Sequence, residues 1–238
     1  MRLEVRTFGG LAERAGLTTL VVELPDDADV GLLRRAVAAA HPSLASLLPR
    51  VAVTVDLEVA DDAVRLRPDA EVALLPPVAG GSDDGAADGA GADPGTITGL
   101  VHGPLDVEGT LARLGASDVG AVVSFLGTVR DHADDGTPGV VRLEYSAYEP
   151  MAARELARIA DEVRAAHPAV RRLALLHALG DLAVGAHTIL VAASSAHRED
   201  AFAACRAALE AIKQRVPVFK REVTADGAHR WVGLPADG

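Results

Sequence analysis

Hydrophobic and charged residues alternate at the start of this chain, which is the pattern of a β-strand with one buried face. Leu3 and Val5 are separated by single charged residues, so their side chains fall on the same side of an extended backbone. A second strand is predicted over residues 18–24. The connection between the two predicted strands contains Gly9, Gly10 and Gly16, and glycines of this kind punctuate loops.

A helix is predicted next, because apolar residues recur at intervals of three and four. Asp29 is the predicted N-cap, and His41-Pro42 ends the helix, since the residue before a proline avoids the helical conformation. The predicted apolar face comprises Leu32, Leu33, Ala36, Val37 and Ala40. Further strands are predicted over 51–55 and 71–75, with a short strand near 63–66. This order of elements favours a ubiquitin-like β-grasp fold.

The C-terminal half of the chain predicts a second unit of mixed α/β structure. A strand over 119–129 is followed by a loop over 131–139 and by a second strand in which Val141, Leu143 and Tyr145 alternate with charged residues. A helix is predicted to begin near Pro150, since proline is favoured in the first turn, and Pro168 closes it. Its predicted apolar face comprises Leu156, Ile159, Ala160 and Val163.

Two strands and a long helix complete this predicted unit. The strands are expected over 170–176 and 188–193, and the predicted turns between them lie at Gly180-Asp181 and Gly185. Ser194 or Ser195 is predicted to cap the helix, which Pro217 ends. The predicted buried face of the helix comprises Phe202, Cys205, Leu209 and Ile212.

A stretch rich in Pro, Gly and Asp separates the two predicted units. The first unit ends in Pro76-Pro77 and Gly80-Gly81, which can form either a stiff, narrow tail that enters an active site or a simple turn before a linker. Residues 82–95 contain Gly, Ala and four Asp but no basic residue, so a flexible, self-repelling linker is predicted. The predicted domains are therefore 1–81 and 96–238.

Composition excludes several classes of function. The net charge of −11 argues against general binding to nucleic acid. Without a run of about 18 apolar residues or an apolar N-terminal signal, neither a membrane span nor secretion is expected, and a cytoplasmic protein is predicted. Cys205 is the single cysteine, which rules out an internal disulfide, and the scattered histidines lack metal-ligand spacing. Cys205 is expected to be a buried, inert thiol rather than a sulfur carrier.

The two lysines of the chain form its most unusual pattern. Lys213 and Lys220 lie on either side of Pro217, whereas the other basic residues are all arginine. A lysine amine can be tuned by its environment into a base or a nucleophile, but an arginine stays protonated. The pair therefore indicates a site that needs an amine, unless two solvated lysines fell here by chance. The segment 210–221 carries a local charge of +3, which would suit a small anion.

Three other segments carry residues that could bind an anionic substrate. Arg130 follows a predicted strand that contains Phe125, and Met151 lies in the first turn of a predicted helix. His197 and Arg198 stand at the start of the last helix, where free N–H groups and the helix dipole attract anions. The structural alternatives are a surface ion pair for Arg130 and local capping and solvation for His197 and Arg198.

The first unit, with its tail ending in Gly80-Gly81, resembles MoaD, the small sulfur-carrier subunit of molybdopterin synthase. In that family the chain stops at the second glycine, whose carboxylate is adenylated and converted to a thiocarboxylate. Here the chain continues beyond Gly81. The resemblance therefore implies a fusion in which Gly81 becomes a sulfur carrier after cleavage, or a fused chain that accepts the tail of a separate carrier protein.

The second unit resembles MoaE, the large catalytic subunit, in five signatures that occur in order. The family pattern runs F-x-G-x-V-R, a Tyr-x-x-Met stretch, S-x-H-R, L-K-x-x-x-P-x-W-K-x-E and a D-G-x-x-W-type ending. The corresponding residues are Phe125 to Arg130, Tyr148 to Met151, Ser195 to Arg198, Lys213 to Glu222, and Asp226-Gly227 with Trp231. Two departures are Phe219 in place of the usual Trp, and Ala178 where a His-Arg-x-Gly turn would have arginine.

The resemblance implies an α+β protein with an N-terminal β-grasp domain and a C-terminal α/β hammerhead-type domain. It further implies that the enzyme transfers sulfur from a Gly81 thiocarboxylate to cyclic pyranopterin monophosphate, which becomes molybdopterin. Lys213 and Lys220 are the expected catalytic residues. The expected substrate-binding residues are Arg130, His197, Arg198, Phe125, Met151 and Arg221. No metal and no permanently bound cofactor is expected.

The resemblance also implies partners. These are a second copy of the chain bound through the C-terminal domain, an adenylating and sulfurating enzyme that loads Gly81, and a processing protease. His197 and Arg198 are expected to act in their own site or in that of the second copy. The alternative function is a non-catalytic one, in which a ubiquitin-like interaction module is tethered to a pterin-binding scaffold. A scaffold of that kind needs neither the Gly80-Gly81 tail nor the paired lysines.

Overall fold

The structure is a computed structural model that describes residues 1–77, 95–133, 136 and 138–234. The chain divides into two compact units, Met1–Gly81 together with Trp231–Gly238, and Ser82–Arg230. Gly81 and all of the predicted linker except Gly95 lie outside the described residues. The domain boundaries at residues 81 and 96 therefore stay a prediction.

The first unit is a five-stranded sheet with two helices. Its strands are β1 (Arg2–Thr7), β2 (Thr19–Glu23), β3 (Ala52–Val55), β4 (Glu58–Val59) and β5 (Val72–Leu75), in the order β2-β1-β5-β3-β4. The helices are α1 (Gly9–Ala15) and α2 (Val30–Ala40). β1 and β5 pair in parallel, whereas β1 with β2 and β3 with β5 pair antiparallel. This arrangement confirms the predicted ubiquitin-like β-grasp fold.

Helix α2 forms where the apolar periodicity predicts it. Asp29 is its N-cap, and the Asp29 carboxylate accepts a hydrogen bond of 2.8 Å from the N–H of Leu32. Leu33 and Val37 are fully buried in the core of this unit, together with residues from four of the strands. The cap satisfies one of the N–H groups that a helix start leaves without a partner.

Two local predictions for this unit are wrong. The glycine-containing connection before β2 is helix α1, because Leu11 is fully buried and Gly16 ends the helix in the left-handed conformation at φ 69°. Residues 63–66 do not form the expected short strand. The short strand of this region is β4 at Glu58–Val59, which pairs with β3 across a tight turn. Asp56 and Leu57 form that turn with positive φ, without the glycine that usually marks such a hairpin.

The second unit is built on a seven-stranded sheet. Its strands are β6 (Thr96–His102), β7 (Ala121–Thr128), β8 (Val140–Ala147), β9 (Val170–Ala183), β10 (His187–Ser195), β11 (Val218–Thr224) and β12 (His229–Trp231), and the division between the units falls within β12, before Trp231. The order is β12-β11-β8-β9-β10-β7, and β6 pairs in parallel with β9. The helices are α3 (Val107–Leu114), α4 (Glu149–Ala166) and α5 (Arg198–Arg215). The mixed α and β content of both units agrees with the predicted fold class.

Apolar side chains cover both faces of this sheet. On β10, Val191 and Ala193 belong to the core shared with α4 and α5, and Leu190 and Ala192 belong to the core that includes Leu114 of α3. Successive residues of a strand point to opposite faces, so a strand covered on both faces becomes a continuous apolar run. Burial on both faces explains why apolar and polar residues do not alternate clearly over 188–193.

The structure corrects several predictions for the second unit. β6 and α3 are elements that the sequence did not predict. β9 continues through the expected turn at Gly180-Asp181, because Gly180 pairs with Tyr145 and Asp181 with Glu144 of β8. The other predicted turn, at Gly185, is confirmed, since β9 ends at Ala183 and φ at Gly185 is 88°. Pairing with β8 therefore keeps Gly180 and Asp181 in an extended strand, although the local Gly-Asp sequence favours a turn.

Helix α5 confirms most of its predicted buried face, since Cys205 and Ile212 are buried and Leu209 packs against the same core. Phe202 was expected in the core, but 61% of it is exposed. The buried residues are Ala201, Ala204, Cys205, Ala208 and Ile212. A mostly alanine face allows the helix to approach the sheet closely, which a phenylalanine would prevent. The N-cap is His197 rather than Ser194 or Ser195, which are the last two residues of β10.

The core of the first unit generates a stability prediction. Replacing the fully buried Leu33 with Ala removes apolar contacts and leaves a cavity, so the free energy of unfolding should fall by about 2–5 kcal/mol. Urea unfolding of the full chain, followed by amide signals from β1, measures this change. Leu17→Ala is the matched control, because Leu17 is exposed and its loss should cost less than about 0.5 kcal/mol. Equal losses for the two variants would contradict the assigned core.

Candidate active site

Lys213 and Lys220 lie on either side of the junction between α5 and β11. Lys213 is exposed in the last turn of α5, and Lys220 is half-buried on β11. The helix ends at its C-cap Val216, whose extended backbone leads into Pro217 and β11. The junction therefore presents one amine from a helix end and one from a strand.

Phe125 joins Lys213 at this junction. It is half-buried on β7 and packs against the core beneath α5. The Lys213 Nζ lies 5.8 Å from the centre of the Phe125 ring, which is within the range of a cation–π contact. The structure thus brings together two predicted site residues that are 88 positions apart in the sequence (213 − 125).

Lys220 stands beside an aromatic pair that the sequence analysis did not include in the site. Tyr145 is the residue opposite Lys220 on β8, and its ring meets His177 edge-on, with centroids 5.1 Å apart. His177 is buried, and its Nδ1 lies 2.8 Å from the Ala178 carbonyl oxygen, which fixes the proton on Nδ1. Burial lowers the pKa of His177 to about 4, so the ring is neutral at pH 7. The sequence feature that could have indicated Tyr145 is the scarcity of tyrosine, since the chain has only two.

His197 and Arg198 lie at the other end of α5. His197 is the N-cap, Arg198 is the first helical residue, and both are exposed. Fifteen residues separate Arg198 from Lys213 (213 − 198), which corresponds to about 22 Å along a helix. One small substrate cannot contact both ends of α5, so a single chain does not bring these residues together with Lys213.

Arg130 occupies an exposed position just beyond β7. Val129 is fixed to the β9–β10 turn, because its N–H donates to the Ala186 carbonyl at 3.0 Å and its carbonyl accepts from the Gly185 N–H at 2.9 Å. Arg130 follows directly and is exposed. It lies at the end of β7 that continues from Phe125, which keeps it a candidate for binding an anion near Lys213.

Two predicted substrate contacts are disfavoured by the structure. Met151 is only 4% exposed, so its side chain belongs to the interior. Arg221 is paired with Glu144, and its Nε donates to that carboxylate at 2.7 Å. Burial raises the pKa of Glu144, but hydrogen bonds from Arg221 and Arg142 outweigh burial and keep that pKa below its ordinary value. Arg221 therefore holds β8 and β11 together.

Cys205 is a buried thiol, as predicted. Its Sγ donates to the Val191 carbonyl at 3.4 Å, and burial raises the pKa of the thiol. The reactive thiolate is therefore disfavoured at Cys205.

Two kinds of feature are absent from the part of the chain that the structure describes. The described residues contain no group of three or more His, Cys, Asp or Glu side chains that could hold a metal ion. None of the helices in these residues has the length and hydropathy needed to cross a membrane. Gly81, the predicted sulfur carrier, lies outside this part of the chain.

Comparison with known proteins identifies relatives of both units. The family model described as MoaE protein matches residues 100–215, and the model described as ThiS family matches residues 5–81. The molybdopterin synthase catalytic subunit of Nostoc sp. is 44% identical over 137 residues, which cover 58% of this chain and 82% of that protein. The corresponding subunit of Pyrococcus abyssi is 43% identical over 130 residues, covering 54% of this chain and 86% of that protein.

A solved structure shows the same similarity. The crystal structure of molybdopterin synthase from Staphylococcus aureus matches with a TM-score of 0.52 and 37% sequence identity. The match covers 57% of this chain and 96% of that chain. The share of this chain that the structure covers is similar to the share covered by the two catalytic subunits.

The buried ring of His177 generates a pH prediction. The unfolded chain binds a proton at this residue below about pH 6.5, whereas the folded protein binds one only near pH 4. The free energy of unfolding is therefore unaffected by His177 above pH 6.5 and falls as the pH is lowered toward 4. Between pH 7 and pH 5 the loss from this group should be about 2 kcal/mol.

Urea unfolding of wild type and His177→Gln at both pH values measures the effect. The variant should lose about 2 kcal/mol less than wild type over this interval, because glutamine does not titrate. The same pH dependence in both proteins would contradict a buried neutral His177.

Proposed function

Because this chain belongs to the MoaE family of molybdopterin synthase catalytic subunits and carries a ThiS-family domain at its N-terminus, we propose that it is a fused molybdopterin synthase of molybdenum cofactor biosynthesis. The observation that carries this proposal is the junction between α5 and β11, where Lys213 lies over Phe125 and Lys220 follows on the adjoining strand. The N-terminal unit supplies the sulfur, and the C-terminal unit supplies the active site.

The proposed reaction transfers sulfur from a Gly81 thiocarboxylate to cyclic pyranopterin monophosphate. The thiocarboxylate sulfur forms a bond to a substrate carbon, and the carbon–oxygen bond at that carbon breaks. The oxygen leaves as water in one transfer and stays on the phosphate, as the cyclic phosphate opens, in the other. A second water then attacks the glycine carbonyl carbon and breaks its bond to sulfur, which leaves the sulfur on the substrate and a carboxylate on Gly81. Two such transfers produce the dithiolene of molybdopterin. No metal and no resident cofactor takes part in the proposed steps.

The two lysines have roles that suit this chemistry. An ammonium group beside the glycine carbonyl stabilises the oxyanion that forms when water attacks it. A lysine can also transfer a proton to the opening cyclic phosphate or from the pterin. Lys213 and Lys220 are assigned to these roles jointly. Arg130 is the proposed contact for the substrate phosphate from the same chain, and Phe125 is the proposed apolar contact.

The separation of the two ends of α5 supports a site completed by a second copy of the chain. Arg198 and Lys213 are about 22 Å apart along the helix. We therefore assign His197 and Arg198 to the site of a partner copy, in a homodimer formed through the C-terminal unit. The other proposed partner is an adenylating and sulfurating enzyme that acts on Gly81. The cytoplasm is the proposed location, because it holds the thiols in the reduced form that this chemistry needs.

The first test of the proposal uses the cleaved, thiocarboxylated protein. When it is mixed with cyclic pyranopterin monophosphate, molybdopterin should form, and its formation is followed by chromatography of the pterin products. A non-catalytic scaffold would bind the substrate and leave it unchanged. Binding without conversion would therefore favour the alternative function of a ubiquitin-like module tethered to a pterin-binding scaffold.

The lysine variants test the active site. Lys213→Arg and Lys220→Arg keep the positive charge but remove the tunable amine, so each should lower the rate of dithiolene formation about 100-fold or more. Arg206→Lys is the matched control, because Arg206 is exposed on the same helix, and this variant should retain the wild-type rate. Near wild-type rates in both arginine variants would remove the lysines from the mechanism.

Processing of the chain can be tested separately. A thiocarboxylate requires a free carboxylate, but an amide bond joins Gly81 to Ser82. We propose that a protease of the host cuts after Gly81, so intact mass spectrometry of protein from its native host should show two fragments. A single full-length species that makes molybdopterin without any other carrier protein would contradict cleavage. If the full-length protein makes molybdopterin only when a separate carrier protein is added, that carrier and not Gly81 supplies the sulfur.

A further inference from the structure

Arg215 is the last residue of α5, and two carboxylates of α4 hold it in place. Its Nε donates to Glu155 Oε2 at 3.0 Å. Its Nη1 and Nη2 donate to the two oxygens of Glu162 at 2.5 and 3.1 Å. The guanidinium is therefore fixed in both position and orientation, because each of its three nitrogens has a defined acceptor.

The inner part of this network is buried. The Glu155 side chain is only 8% exposed and also accepts a hydrogen bond of 2.9 Å from Nη1 of Arg158. A carboxylate in the interior retains its charge only when it is well paired, so the two arginines are needed to keep Glu155 there. Hydrogen bonding from Arg215 also lowers the pKa of Glu162. The contact between α4 and α5 thus depends on a fixed set of charges.

This network is close in sequence to the junction that carries the two lysines. Lys213 is two residues before Arg215, and Pro217 is two residues after it. The Pro217 carbonyl accepts a hydrogen bond of 3.2 Å from the N–H of Tyr148, which is the buried N-cap of α4. α4 therefore holds the junction at two points, one at the end of the helix and one at the start of β11.

We propose that Arg215 is a positioning residue that fixes Lys213 over Phe125 and sets its place relative to Lys220. The proposal rests on the proposed function, because it concerns the same pair of lysines. Arg215 does not touch the substrate. It acts by holding the last turn of α5 against Glu155 and Glu162, so that the amine of Lys213 does not move with a fraying helix end.

The geometry explains why an arginine is needed at this position. Three hydrogen bonds to two separate carboxylates require a planar fork, whereas a lysine offers a single nitrogen that cannot span both acceptors. Arg215→Lys therefore keeps the charge and loses the fixed orientation. Arg215→Gln loses both, and Glu162→Gln weakens the outer contact but leaves buried Glu155 in place.

The first experiment measures position without measuring activity. The chain has only two lysines, so the full-length protein labelled with ¹³C-lysine gives two sets of side-chain NMR signals, which Lys213→Arg and Lys220→Arg assign. In wild type the ε-methylene signal of Lys213 should be displaced by the Phe125 ring. Arg215→Gln should abolish that displacement, and Glu162→Gln should reduce it.

Asp161→Asn is the matched control, because Asp161 is exposed on α4 next to Glu162 in the sequence, and this variant should leave the Lys213 signal unchanged. If Arg215→Gln does not fold, Glu162→Gln provides the same test in a milder form. An unchanged Lys213 signal in a folded Glu162→Gln or Arg215→Gln protein would overturn the proposal.

The second experiment measures the rate of dithiolene formation. Arg215→Gln should lower kcat about 10- to 100-fold with KM changed less than about 3-fold, since a displaced catalytic group affects the reaction more than substrate binding. Arg215→Lys should recover only part of the rate. The control Arg171→Lys alters an exposed ion pair with Asp118 in another part of the same unit, and it should behave as wild type.

The two experiments separate the possible failures. If wild type makes no molybdopterin, the proposed function fails, and the NMR signals still test whether Arg215 positions Lys213. If wild type and the lysine variants behave as expected but folded Arg215→Gln keeps the full kcat, the positioning role is wrong while the proposed function stands.

Discussion

The packing of α5 on the sheet of the second unit is the contact on which the candidate site depends. The helix lays a face of small residues, mostly alanine, across β7 and β10, and this face leaves Phe202 in solvent. This close packing fixes the distance of the helix from the sheet and the orientation of the helix axis. One end then carries Lys213 to Phe125, and the other end carries His197 and Arg198. The chemistry of the site is thus set by an apolar contact.

The direction of α5 also determines how the site can be assembled. Positive groups at the two ends of one helix cannot serve a single small substrate in the same chain. The proposed homodimer would resolve this problem, because it can place the N-terminal end of one α5 near the C-terminal end of another. Fusion of the N-terminal unit adds a second constraint on the proposed function, since Gly81 needs a free carboxylate before it can carry sulfur. Assembly and processing therefore belong to the proposed function as much as the lysines do.

Much of the fold could be predicted from the sequence, and the errors have physical causes. Periodicity located α2, α4 and the strands that alternate or form apolar runs. It missed α1, because glycines hide a helix that Leu11 anchors in the core. It placed a turn at Gly180-Asp181, because a local signal cannot reveal that β8 pairs with these residues. The assignment of Met151 and Arg221 to the substrate stays a prediction, and in the structure Met151 is buried and Arg221 pairs with Glu144.

The sequence by itself determined the two units and the family resemblance, and it singled out the paired lysines as candidates, because these depend on residue type, order and spacing. Only the tertiary structure decided which of the candidate residues meet. It joined Lys213 to Phe125, placed Tyr145 and His177 beside Lys220, and tied Arg215 to α4. Each of these contacts joins residues that are distant along the chain, and the packing of helices and strands sets such distances after the local pattern has been satisfied.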